Sequence, residues 1–207
     1  MTTQSDKKEA VLEKFRVESI TEGALRAIAR KGGAATMQDI ADESGISKGT
    51  LYLYFKNKQE LFRAVVKSAI APNIEAITSA VASLDAPFND VIRMFLAGFA
   101  EREARLPIGA VAKIVVGESR NFPELARVWH DEVASKAIGA LSAFIERAQQ
   151  RGEVRPGDPR LYAFSLIGPM VLGALWRATL VPAGGTPLDL AALAKQHSET
   201  ILAGLLA

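Results

Sequence analysis

The run Gly45 to Lys58, GISKGTLYLYFKNK, gathers side chains suited to gripping a polyanion rather than to making or breaking bonds. Ser47 is a good helix N-cap. Lys48, Gly49 and Thr50 then form a first turn whose unpaired backbone N–H groups and positive dipole end attract a phosphate oxygen. Gly49 has no side chain to hold the backbone away from a nucleic acid. Leu51 and Phe55 lie four residues apart and face inward, so Tyr52 and Tyr54 point elsewhere. A tyrosine offers a flat ring for a sugar or a thymine methyl and a hydroxyl for a phosphate. Lys56 and Lys58 add charge beyond the helix. Taken singly, each tyrosine also fits an ordinary half-buried aromatic, and each lysine a solvated edge.

Positioning such a helix requires a second one in front of it. Thr36 caps a short segment in which Met37, Ile40 and Ala41 recur at i, i+3 and i+4, one apolar face of a helix. Gly45 supplies the positive φ of a tight turn, and Ile46 plugs the space beneath it. This is a helix-turn-helix pattern, and its expected partner is double-stranded DNA. An earlier helix with Val17, Ile20, Ala24 and Ile28 on one face braces the pair. Lys7 and Lys8 precede that face as a possible basic arm or a plain solubilising tail.

Thr36 to Leu61 resembles the DNA-binding domain of TetR-family transcriptional regulators, whose hallmark is an SKGTLYxYFxxKxxL run. The resemblance implies DNA contacts at Thr36, Ser47, Lys48, Gly49, Thr50, Tyr52, Tyr54 and Lys58. It also implies an all-α fold, with a three-helix DNA-binding domain over residues 1–57 and a larger helical effector-binding and dimerisation domain over residues 58–207. Leu53 departs from the pattern, because many members carry an aromatic or polar residue there.

Composition agrees. The chain has 207 residues, 49% of them hydrophobic, enough for a sizeable core. Its 25 Lys and Arg nearly balance 23 Asp and Glu. Met1 to Lys67 holds 12 basic and 9 acidic residues, a net of +3, which leaves −1 for the remainder. So modest an asymmetry makes the motif, not bulk charge, the carrier of DNA recognition. The absence of cysteine excludes disulfides, thiol redox sensing and Cys-ligated zinc. His130 and His197 stand far apart, and neighbouring helical side chains such as His130 and Asp131 diverge by about 100°, so no metal or other cofactor is expected. No nucleophile–base pair or phosphate-binding glycine loop points to an enzyme. The opening MTTQSDKKEA lacks the apolar core of a signal peptide, and a cytoplasmic location is expected.

Helices are expected over 6–31, 37–44, 47–54, 58–84, 87–104, 108–118, 123–150, 159–181 and 188–206, with Gly32-Gly33 and most prolines at the joints. Pro72 falls inside the fourth span and predicts a kink or break near Ala71. The uncharged run Leu161 to Trp176 has 16 residues interrupted by Pro169, short of the roughly 20 a membrane-spanning helix needs. No membrane role is expected, and the segment reads as a helix buried in the core or under a partner subunit. The resemblance implies homodimerisation through the last two long helices, with Leu166, Met170, Gly173, Ile201 and Leu205 as candidate contacts. Phe95, Phe99, Val115, Trp129, Phe164 and Trp176 could enclose a lipophilic or aromatic effector. Glu118 would be its polar contact, unless it pairs locally with Arg120. A repressor released by such a molecule is the expected function. A hydrophobic-ligand carrier and a DNA-binding protein without an effector are the alternatives.

Overall fold

The computed structural model describes residues 4–31, 34–84, 86–103 and 105–206, with residues 4–10 and 82 described by their backbone alone. The Lys7 and Lys8 side chains and the Gly32-Gly33 joint fall outside what is described, while the backbone of both lysines belongs to α1 rather than to an arm ahead of it. Eleven helices appear in these segments: α1 (Gln4–Lys31), α2 (Met37–Glu43), α3 (Lys48–Tyr54), α4 (Lys58–Val65), α5 (Ala71–Ser83), α6 (Phe88–Arg102), α7 (Ile108–Glu118), α8 (Pro123–Trp129), α9 (Ser135–Gln150), α10 (Pro159–Thr179) and α11 (Leu190–Leu205). No strand is present among the described residues beyond a single bridge joining Val154 to Leu206. The all-α expectation holds.

Two π-turns explain why the sequence suggested fewer, longer helices. Val66–Ile70 joins α4 to α5, and His130–Ala134 joins α8 to α9. Pro72 has no N–H and its ring crowds the carbonyl four residues back, which disfavours an ordinary α-turn there. The chain responds by widening the preceding turn, so the break expected near Ala71 is a π-turn inside a continuous helical path. Pro169 behaves differently again: α10 passes through it without interruption. The segment Pro159–Ala183 is long and apolar enough, by length and composition alone, to cross a membrane, because the helix continues past the arginines that bound the 16-residue uncharged run. In this fold it lies across α7, α9 and α11.

Two apolar clusters organise the chain. The first joins Ile20, Ala24 and Ile28 of α1, Ile40 of α2 and Leu51 of α3 to Leu61, Phe62 and Val65 of α4, and continues to Val111, Ile114 and Val115 of α7 and Leu125 of α8. The recognition pair is therefore packed directly onto the body. The second cluster holds Leu96 of α6, Phe144 and Ile145 of α9, Leu166 and Met170 of α10, and Leu202 and Leu205 of α11. Within it Phe88 and Phe144 stack at 5.5 Å.

Close helix crossings are set by missing side chains. A Cβ on Gly23 would lie 2.1 Å from Ser44 Oγ, where α1 crosses the end of α2. One on Gly109 would lie 2.2 Å from the Ala174 carbonyl oxygen, where α7 crosses α10. Gly173 makes room for the Leu190 and Leu193 side chains of α11 in the same chain.

Candidate nucleic-acid interface and apolar cavity

The turn between α2 and α3 is built as its residue types require. Thr36 and Asp39 form a reciprocal capping box: the Asp39 N–H donates to Thr36 Oγ1 at 3.2 Å, and the Thr36 N–H donates to Asp39 Oδ2 at 2.9 Å. Lys31 Nζ, 2.6 Å from Asp39, holds this carboxyl well below the usual carboxylate range, helped by the Thr36 hydrogen bonds. Arg30 pairs with Glu43 at 2.8 Å, so α1 grips α2 at both ends. Gly45 takes φ +67°. Ser47 Oγ accepts the Thr50 N–H at 3.0 Å and shares a 2.8 Å hydrogen bond with the Thr50 hydroxyl.

With Leu51 fully buried and Phe55 nearly so, α3 has its opposite face free. Ser47, Lys48, Gly49 and Tyr52 are exposed, and Thr50 is half-buried. Leu53 is 84% exposed. Tyr54 is set apart from the others. Its ring packs against the first apolar cluster and its hydroxyl accepts from Arg16 Nη1 of α1 at 3.2 Å. Lys58 is half-buried, and this burial pushes its ammonium pKa down against the pull of Glu118 and Asp39. It sits where head and body meet.

The body forms a partly open cavity of about 430 Å³ bounded by α5, α6, α7, α8, α9, α10 and the second π-turn. Phe95, Phe99, Trp129 and Phe164 line it, as their sequence pattern suggested. Three other expected contacts do not. Val115 is buried in the first cluster. Glu118 is exposed at the end of α7 on the side of Lys58, and no ion pair joins it to Arg120 among the described residues. Trp176 donates its indole N–H to the Thr186 carbonyl at 2.9 Å, tying down the loop before α11. The sequence reading missed the α5 wall of Ile74, Ile77, Thr78 and Val81, and also Arg102 and Glu103. The α5 residues do recur at helical spacing, but that period marks any inward face and cannot distinguish a filled core from a hollow one.

Glu103 is the polar oddity of this region. Its carboxylate accepts the Ile108 and Gly109 N–H groups, each at 3.0 Å, and so caps the start of α7. Burial nevertheless pushes its pKa up to about 7, against those two hydrogen bonds and the attraction of Arg177.

The expected dimer contacts also need correction. Leu166 and Met170 are fully buried, Gly173 and Leu205 are buried, and only Ile201 is half-buried. They pack inside their own protomer because α10 turns that face toward α7 and α11. Its other face is the open one, with Leu161, Phe164, Leu172, Trp176 and Leu180 exposed. His130 and Asp131, expected to diverge, are 2.8 Å apart on the surface. No group of three metal-ligating side chains occurs among the described residues.

A small capped helix-turn-helix mounted on a larger helical body around an apolar cavity defines a DNA-binding regulator, and comparison with known proteins agrees. Residues 20–65 match the model for bacterial regulatory proteins of the tetR family, and residues 87–189 match that for a tetracyclin repressor-like C-terminal domain. An uncharacterized HTH-type transcriptional regulator of Bacillus subtilis strain 168, YhgD, is 27% identical over 157 residues, covering 73% of this chain and 78% of its own. Among solved structures, Bacillus subtilis FadR in complex with stearoyl-CoA superposes with a TM-score of 0.67 at 22% identity, over 90% of this chain and 97% of that one. AibR in complex with isovaleryl coenzyme A and operator DNA gives 0.63 at 26% identity, over 92% and 98%. The chain belongs to the TetR family of DNA-binding transcriptional regulators.

Proposed function

We propose that this regulator is a homodimeric repressor, released from a palindromic operator when a lipophilic or aromatic small molecule enters the body cavity. The observation that carries the reading is the cavity itself. A space of about 430 Å³ walled almost wholly by apolar and aromatic side chains has the size and chemistry of a small-molecule site. FadR and AibR, solved with acyl-CoA ligands, and SmeT, solved with triclosan, support an effector with a substantial apolar part.

In this reading residues 1–57 form the DNA-binding head and residues 58–207 the effector and dimerisation body. Thr36, Ser47, Lys48, Gly49 and Thr50 hold phosphates, while Tyr52 and the exposed Leu53 reach into the major groove, where Leu53 suits a thymine methyl. Tyr54 and Lys58 act more by fixing the head than by reading bases, since each is partly buried against it. The open face of α10, with Leu161, Leu172 and Trp176, takes a second copy of the chain. Two recognition helices must then meet major grooves about 34–36 Å apart, or at a multiple of that spacing. A ligand-induced tilt of α4 spoils this register. A coupling of about 1–3 kcal/mol changes operator affinity about 5- to 150-fold, enough for a switch.

The test is selection of genomic fragments by the purified protein, footprinting of the tightest one, and then titration of the complex with a lipophilic library. A palindromic footprint lost on adding one compound supports the proposal. Saturating the cavity with no change in operator affinity overturns the release mechanism, and an asymmetric single-site footprint overturns the dimer.

A further inference from the structure

Among the described residues lining the cavity two ionise, Arg102 and Glu103, and they are placed very differently. Both Glu103 oxygens are engaged by the N–H groups that open α7, with Arg177 adding a favourable charge. Its acceptors are spent on the protein. Arg102 makes no hydrogen bond or ion pair among the described residues, and the one charge favouring it is its chain neighbour Glu101. Its guanidinium folds back over Gly98, one helical turn earlier on α6, where an added Cβ would lie 2.8 Å from Nη1 and 3.1 Å from Nη2. Gly98 thus leaves the guanidinium a berth in an otherwise apolar wall that includes Phe95 and Phe99.

A guanidinium does not shed its proton, and Arg102 is half-buried with no charged partner beyond Glu101 among the described residues, so an incoming anion gains a charge-assisted pair that no described residue supplies. A neutral ligand gains no such pair, and a cation adds repulsion. The volume sets the apolar part. A cavity of about 430 Å³ lies in the range of small-molecule sites and admits a medium-length apolar chain. Resting on the reading of the cavity as the effector site, we propose that the effector is an anionic amphiphile, with an apolar body of about that size and one carboxylate or phosphate group paired with Arg102.

Four probes of matched length decide this: decanoate, decyl phosphate, decanol and decylammonium, with binding followed by calorimetry and by the fluorescence of Trp129 in the cavity wall. A charge-assisted pair predicts that at least one anion binds about 10- to 100-fold more tightly than decanol. The ratio of the two anions identifies the headgroup. In Arg102→Gln protein the anion should fall to the level of decanol while decanol is unchanged. Gly98→Ala displaces the guanidinium without deleting its charge and should lower anion affinity alone, which guards against a folding effect in the first variant. Decanol binding as tightly as either anion, decylammonium binding best, no binding by any of the four, or Arg102→Gln weakening all ligands equally overturns the assignment. Operator release is measured separately. Tight, Arg102-dependent anion binding that leaves the operator complex intact would refute the release mechanism while keeping this headgroup assignment.

Discussion

Gly109 and Gly117 lie on the same helix, and the structure predicts that replacing each by alanine has opposite effects. At Gly109 the new Cβ would sit 2.2 Å from the Ala174 carbonyl oxygen and 2.3 Å from its carbonyl carbon, both backbone atoms of α10 that cannot rotate away. Restoring ordinary contact requires α7 and α10 to part by roughly 1.3 Å. Overpacking of this kind costs about 1–3 kcal/mol, and the helical preference of alanine returns less than about 1 kcal/mol of it. At Gly117 nothing lies within 4 Å, so only the propensity gain of about 0.5–1 kcal/mol remains. For a chain of this size each kcal/mol moves the midpoint by about 2–4 °C. Gly109→Ala should therefore melt about 2–8 °C below the wild type, and Gly117→Ala about 1–4 °C above it, in scanning calorimetry. Ile108 and Ala112 line the cavity beside Gly109, so Gly109→Ala should also alter ligand affinity, and Gly117→Ala should not. Equal midpoints for the two variants would refute the tight α7–α10 crossing and the cavity geometry that depends on it.

Lys48→Ala should weaken operator binding and reduce the slope of log K against log salt by about 1, with base preference unchanged; an altered preference at the same slope would make Lys48 a base reader. Leu53→Ser should lose affinity, by about 1–3 kcal/mol, only for operators with a thymine at the contacted position. Single-base operator variants in a competition assay measure this, and equal losses on all of them would remove Leu53 from the groove. Glu103 makes stability fall with rising pH. Its folded pKa of about 7 exceeds its ordinary value of about 4.5, so between those values the folded protein holds a proton that the unfolded chain has released. The advantage is greatest below the lower value and is lost as pH rises through the upper one, by on the order of 2–3 kcal/mol. Melting at pH 5.5 and 8.0 should show this slope in the wild type and a flatter one in Glu103→Gln; parallel slopes would dismiss Glu103 as its source.

The head was legible because its signals are local. Ser47, Thr36 and Gly45 each act on the few residues beside them, through two caps and a positive φ, and each is found as read, with the Asp39 half of the Thr36 capping box added by the structure. The body required distances between elements, which no local pattern contains. Pro72 and Pro169 have the same covalent chemistry, yet one widens a turn and the other is carried through an unbroken helix. Gly173 offered room without saying what would fill it, and the Leu190 and Leu193 side chains of the same chain occupy it. The apolar face of α5 was visible, but whether Ile74 and Ile77 meet other side chains or an empty space depends on how far away α10 stands. Arg102 escaped notice for a related reason: an arginine near a helix C-terminus is commonplace, and only the walls around it make it unusual.

The route from cavity to DNA is short enough to be argued contact by contact. Val133 and Ala134 line the cavity and belong to the second π-turn. That turn packs against the first one, Val66–Ile70, whose Val66 and Ile70 are fully buried. From the first π-turn Ser68 donates to the buried Thr21 hydroxyl of α1 at 3.1 Å, and α1 holds both ends of α2 through its ion pairs with Glu43 and Asp39. The same π-turn also runs directly into α4, whose first residue follows the recognition helix by only a few positions. A π-turn holds one more residue per turn than the helices on either side, so a shift of either segment toward α geometry is the change that the proposed coupling would require. Under the proposed release mechanism, an effector contacting Val133 would bear on the second π-turn and, through its packing, on the first, and a loss of that coupling on disrupting Ser68 or Thr21 would be the expected signature.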